Sequence, residues 1–225
     1  MIPFLGKLAA VLWKDLVAEF RTRDVLSSML VFALLVILIF NFAFELRRSE
    51  LLAFAPGALW VAFSFAGVLG LNRSFVREVD RGGIEALLLA PVDRGAVYLA
   101  KVLGNTAFIL LVELLILPIF AVVANLPLLQ GGLLPVLILG TLGFAAVGTL
   151  LAAMAVRTRT REVMLPVLLF PVAVPVIIAS VRATAGILVE SGVGTPVESW
   201  LRILAVYDVI FLVVAYLTFE FVIEE

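Results

Sequence analysis

The chain has 225 residues, 64% of them hydrophobic and only 15% charged, with a mean hydropathy of +1.23, which excludes a soluble enzyme and a disordered chain because no soluble core hides that share of apolar side chains. The net charge is −1, from 16 basic and 17 acidic residues, so there is no basic field for nucleic acid. Cysteine and histidine are both absent, which removes disulfides, thiol nucleophiles, the usual zinc and haem ligands and the usual general base; no metal, no resident cofactor and no catalytic residue is expected.

In chain order, residues 1–24 read as an amphipathic elbow helix in the membrane interface. Leu5, Leu8, Ala9, Leu12, Trp13, Leu16 and Phe20 share one arc, and Lys7, Lys14 and Arg21 recur every seven residues on the other. Asp15 and Glu19 add acids to this segment, and Glu19 falls on the apolar arc, where it must be buried against the bundle or a partner. Six stretches are then long and apolar enough to cross a hydrocarbon core of about 30 Å: 25–44, 51–71, 96–124, 133–156, 163–181 and 201–222. Backbone groups in lipid must pair internally, and strict alternation is missing, so all six are read as helices rather than barrel strands. The fourth carries Thr141, Ala145, Thr149 and Ala153 at four-residue spacing with Gly140, Gly143 and Gly148, a face for close helix packing. The fifth carries Pro166, Pro171 and Pro175, which imply kinks or an irregular segment. Residues 183–200 read as a loop on the outer side.

Placing the N-terminus inside puts twelve basic residues on the inner face: Lys7, Lys14, Arg21, Arg23, Arg73, Arg77, Arg81, Arg94, Lys101, Arg157, Arg159 and Arg161. It leaves Arg47, Arg48, Arg182 and Arg202 outside. The positive-inside rule therefore predicts both termini in the cytoplasm. No cleavable signal and no lipidation motif is expected, and residues 1–225 read as a single polytopic permease domain with a bundle over 25–222.

Residues 72–95, NRSFVREVDRGGIEALLLAPVDRG, are more than a solvated loop. Arg73, Arg77, Glu78, Asp80 and Arg81 form a mixed-charge surface, Gly82 and Gly83 permit a sharp break, and a short helix with Glu85 and the Leu87, Leu88, Leu89 face ends near Pro91. Three consecutive leucines need a partner or the membrane to cover them. This is the expected cytoplasmic coupling element. Its acids Glu78, Asp80 and Glu85 would pair with basic residues of a partner, and its leucines would fill an apolar cleft there.

Two acids lie inside spans. Glu113 is about 18 Å along its helix from Lys101. Lys101 can snorkel to the inner surface, but Glu113 cannot, so Glu113 should face the bundle or a cavity. Asp208 lies about two turns inside the last span. Each is either a pathway residue or a hydrogen-bonded link between helices. No nucleotide-binding Gly-x-x-x-x-Gly-Lys-Ser/Thr motif occurs. Any work this chain performs must be driven by a separate ATPase or an ion gradient.

The motifs KDLVAEFRTRD (14–24), APGALWVAF (55–63), LNRSFVRE (71–78), GGIEALLLAP (82–91), AVYLAKV (96–102), TLGF (141–144) and LPVLLFPVAVP (165–175) occur here in that order. Together they resemble the membrane subunit of the cytochrome c maturation ABC complex, the haem exporter protein B (CcmB) family. The resemblance implies an all-α, ABC-2 type permease of the bacterial inner membrane, paired as a homodimer and surrounded by membrane lipid. It implies a CcmA-like ATPase partner that holds the ATP, a CcmC-like haem-handling protein and a CcmD-like small subunit. It also implies an indirect link to a CcmE-like chaperone, released with its haem on the outer side. Because the chain has no His or Cys, haem ligation is assigned to the partners. Alternatives are an ABC-2 permease exporting a lipid, drug or glycan, a passive scaffold for the haem-handling subunit, and a membrane enzyme, for which no catalytic set is present.

Overall fold

The computed structural model describes residues 4–43, 48–80, 93–126, 128, 131–156, 158, 160–188 and 196–224; for residues 43, 48–49, 76–80, 161 and 223–224 the backbone alone is described. The described residues form seven helices: α1 (Phe4–Thr22), α2 (Asp24–Ala43), α3 (Arg48–Asp80), α4 (Arg94–Val123), α5 (Leu133–Ala155), α6 (Arg161–Leu188) and α7 (Val197–Glu224). Helices α2 to α7 contain the six runs long and apolar enough to cross a membrane, as the sequence predicts.

Small residues decide the order of packing. Helix α5 is the hub: 72% of its apolar window is buried, against 28% for α2 and 22% for α7. It touches α3, α4, α6 and α7. Its Gly148 leaves no room for a Cβ beside Leu71 of α3, and Phe144 packs into Gly67 of the same helix. Helix α2 lies outside, on α3 and α4, with Met29 against Gly70. Close backbone approach is what holds helices together once water is gone, because lipid is as apolar as leucine.

Three sequence boundaries are corrected. Helix α3 does not stop at Leu71 but continues to Asp80. Its 33 residues reach about 50 Å, well beyond the thickness of a hydrocarbon core. Helix α6 runs on past Val181 to Leu188, because Ala183, Thr184 and Leu188 continue its buried face; α7 begins at Val197 rather than Leu201. The loop expected over 183–200 shrinks accordingly. The three prolines lie inside α6, which stays helical from Arg161 to Leu188, so the fifth span has no irregular segment. Prolines are tolerated in membrane helices where neighbours re-satisfy the freed backbone groups.

Candidate functional site

At one end of the bundle α1 meets α2 through a tight elbow. Arg23 adopts the left-handed region, with φ of 58°, and its N–H donates to Glu19 O at 2.7 Å, closing α1. This turn carries the Glu19 side chain over the start of α2. Glu19 Oε1 accepts from Val25 N–H at 2.8 Å and Leu26 N–H at 3.0 Å. Helix starts have unpaired N–H groups and a positive dipole end, so a buried carboxylate is stabilised there. Glu19 is 3% exposed. The acid that broke the apolar arc is thus turned against the bundle, as the sequence required.

The predicted arc itself is split. Leu8, Leu12 and Leu16 lean inward with Val11, Asp15 and Glu19, while Leu5, Ala9, Trp13 and Phe20 are exposed. Helix α1 rests on α4, where Gly104 lets Leu12 approach, and its other apolar flank is exposed. Lys14 pairs with Asp15 at 3.4 Å, and Arg21 is exposed in the last turn of α1, where a cation suits the helix dipole.

Lys101 does not snorkel. Its side chain is 3% exposed and its Nζ lies 2.8 Å from Asp15 Oδ2 of α1. It also donates to Ser74 O of α3 at 3.3 Å and sits 5.3 Å from the centre of the Phe75 ring. One ammonium therefore ties the interfacial helix, the far end of α3 and the start of α4 together. The partner on α1 was the missing signal: Asp15 and Lys101 are 86 residues apart, and only the packing of α1 on α4 brings them together.

The same knot fixes one end of the 72–95 segment. Ser74 and Phe75 are held by Lys101, and Arg73 is exposed on the same helix. The other end is fixed by Asp93, whose Oδ1 caps α4 by accepting from Gly95 N–H at 2.8 Å. Arg94 pairs with Glu220 of α7 at 3.2 Å, and Tyr216 lies where a Gly95 side chain would be. Arg77, Glu78 and Asp80 lie in the last turns of α3, where only backbone is described. Gly82, Gly83, Glu85, Leu87, Leu88 and Leu89 lie outside the described residues.

Within the bundle both predicted acids are buried. Glu113 is 1% exposed and receives the Thr141 hydroxyl of α5 at 2.8 and 2.9 Å on its two oxygens. Asp208 of α7, 3% exposed, presses against Gly143 of α5. Thr141 and Gly143 are two residues apart and so point to opposite sides of α5. The structure thus does not bring Glu113 and Asp208 together; α5 stands between them. Nearer the elbow end, Asn105 Nδ2 donates to Thr149 Oγ1 at 2.9 Å and Tyr98 OH to Ala146 O at 3.0 Å. The four-residue stripe on α5 is therefore also a hydrogen-bonding stripe, which its reading as a packing face missed. Among the described residues no group of three or more acids forms a metal site.

Six apolar helices, one of them a small-residue hub, with an amphipathic helix clamped across one end, define a multi-pass membrane protein. The chain belongs to the CcmB family: the family model described as CcmB protein matches residues 6–224. It is similar to heme exporter protein B of Pseudomonas aeruginosa, 32% identical over 163 residues, covering 71% of this chain and 72% of that one. The protein of the same name from Rhodobacter capsulatus is 30% identical over 188 residues, covering 81% and 86%. That from Haemophilus influenzae is 30% identical over 185 residues, covering 81% and 84%.

Proposed function

We propose that this chain is the membrane subunit of a haem-export complex for cytochrome c maturation in the bacterial inner membrane. It couples ATP hydrolysis by a separate CcmA-like ATPase to release of a haem-loaded, CcmE-like chaperone on the outer side. CcmC-like and CcmD-like subunits and a second copy of this chain complete the complex. The subunit itself is non-catalytic and transmits movement. Family membership and the shared name of its relatives, heme exporter protein B, support the cargo.

The observation that carries the coupling role is the Lys101 knot. A segment that receives force must pass it to the bundle, and a segment anchored by solvated loops would dissipate it. Here α3, two turns before its end, and the chain entering α4 are both held, at Ser74 by Lys101 and at Asp93 by the α4 cap. The interfacial helix joins the same clamp through Asp15. The segment between the clamps carries Glu85 and the Leu87–Leu89 face, which would seat in the ATPase. With the basic residues of this segment inside, both termini lie in the cytoplasm.

Glu85→Lys tests this reading. The expected result is normal membrane insertion, loss of ATPase co-purification and failure of c-type cytochrome assembly. Normal assembly with this variant overturns the coupling role. Deletion of the chain should abolish all c-type cytochromes and leave envelope polymers unchanged; the reverse pattern would identify a lipid, drug or glycan exporter instead.

A further inference from the structure

At the elbow the buried acids have partners and the exposed arginines have none. Glu19 caps α2, and Asp15 holds Lys101. Arg21 and Arg23, in the last turn of α1 and in the connection to α2, are both exposed. Among the described residues neither guanidinium has a hydrogen-bond or ion-pair partner. Asp24, the exposed acid beside them, lies in the first turn of α2, where the positive dipole end favours it. Arg23 also stands where glycine would be unstrained, with φ of 58°. A side chain kept at a backbone position that disfavours it points to a use for that side chain.

Beside the bases runs an apolar flank. Leu5, Trp13, Val17 and Phe20 of α1 are exposed, and around the helix Val17 stands between Trp13 and Arg21, so the apolar and basic arcs adjoin. The apolar surface does not end with α1. The Phe20 ring meets Phe108 of α4 edge-on at 6.4 Å. Leu111, half-buried, and Leu115, exposed, follow Phe108 one and two turns further along α4. An apolar track therefore leads from the elbow along a helix long and apolar enough to cross a membrane.

An occupant of this corner must suit both surfaces at once: a negative group for two unpaired guanidiniums and a slender apolar chain for the track on α4. Guanidinium forks bind phosphate oxygens through paired hydrogen bonds, and basic helices with an apolar flank bind anionic membranes. An inorganic anion would leave the leucines bare, and a zwitterionic lipid brings its own cation for its phosphate. We propose that the elbow is a binding site for an anionic phospholipid. Its phosphate rests on Arg21 and Arg23, and an acyl chain runs along Phe20, Phe108, Leu111 and Leu115. Such a lipid braces α1 against α4 on the flank away from the Asp15–Lys101 pair. The proposal stands independently of the coupling role.

Trp13, on the apolar flank, reports on the site. The full chain with Trp200→Phe keeps the exposed Trp13 and the buried Trp60 as its tryptophans. It is reconstituted in phosphatidylcholine vesicles that carry a minority of brominated phosphatidylglycerol or the same amount of brominated phosphatidylcholine, whose bromines quench tryptophan fluorescence on contact. The expected result is several-fold stronger quenching by brominated phosphatidylglycerol, and near-equal quenching by the two lipids once Arg21→Gln and Arg23→Gln are introduced together. Equal quenching before those substitutions overturns the proposal, and so does a preference that survives them. Absence of quenching by either lipid also overturns it, since a protein surface would then cover the flank. If the double variant fails to insert, Trp13→Phe decides. The preference should vanish with this ring, and a preference that remains would arise at Trp60 and overturn the site.

Discussion

Glu19 Oε1 lies 2.8 Å from the backbone nitrogen of Val25, six residues on, so the acid that ends one helix caps the start of the next. The connection between α1 and α2 is a single residue, Arg23, in the left-handed conformation. Such a conformation costs a non-glycine residue about 1 kcal/mol. The two hydrogen bonds that Glu19 accepts from Val25 and Leu26 offset it.

Glu19→Ala leaves two N–H groups of α2 without this acceptor and removes a charge from its positive dipole end. The expected loss is about 1–2 kcal/mol. Glu19→Gln keeps an acceptor at the same reach and should lose less. Thermal unfolding in detergent micelles measures both; equal losses for the two would mean that the negative charge at the dipole end, not the acceptor, sets the stability.

Lys101 and Asp15 form a pair in which one partner is fully enclosed and the other 18% exposed. Removing the lysine alone leaves the partly buried Asp15 carboxylate with only the half-exposed Lys14 as a counter-charge. Lys101→Met should therefore cost about 3 kcal/mol, near the low end for broken buried pairs because Asp15 keeps some solvent. The double variant Lys101→Met with Asp15→Asn should recover part of that loss, since no charge is left uncompensated. A double variant as unstable as the sum of the singles would show that the two residues do not interact.

Gly148 has Leu71 of α3 where its side chain would be, and Leu71 is fully buried. Gly148→Ala forces α3 and α5 apart and should destabilise the bundle by about 1–3 kcal/mol. Adding Leu71→Ala removes the obstructing atoms. The pair should then be less damaging than the two single losses summed, a coupling that a double-mutant cycle reads directly.

The Arg94–Glu220 pair joins α4 to α7 across the elbow end, but Glu220 is 63% exposed. Exposed pairs contribute between about 0 and 1 kcal/mol and are screened by salt. Glu220→Gln should change the unfolding temperature little and the amount of membrane-inserted protein not at all. A large loss would mean that the pair is shielded by a neighbouring subunit in the complex.

The six crossings were legible because a run of some 20 apolar residues has one physical use, and no tertiary detail is needed to see it. Helix ends were less legible. Arg182 reads as a boundary, yet the buried positions Ala183, Thr184 and Leu188 carry α6 onward, and burial is set by neighbours the sequence does not reveal. Glu19 announced itself by breaking an arc. Lys101 did not, because a lysine near a helix start has the ready alternative of snorkelling, and Asp15 lies on another helix. Thr141 and Gly143 read together as a small-residue face, while the structure gives them separate duties: one donates to Glu113, the other admits Asp208.

Haem is the cargo named for the relatives, and the chemistry of this chain limits what it can do with haem directly. With no histidine and no cysteine, only its four methionines and three tyrosines offer side chains of the kinds that serve as axial ligands. Haem titrated into the purified chain, isolated through a tag that contains no histidine, should give no low-spin imidazole-type spectrum at any ratio. The same titration with a histidine-bearing haem-handling subunit present should produce one. An imidazole-like spectrum from the chain alone cannot come from these residues, and it would overturn the assignment of ligation to the partner. Loss of that spectrum from the mixture when Met or Tyr residues of this chain are replaced would instead place one axial ligand here.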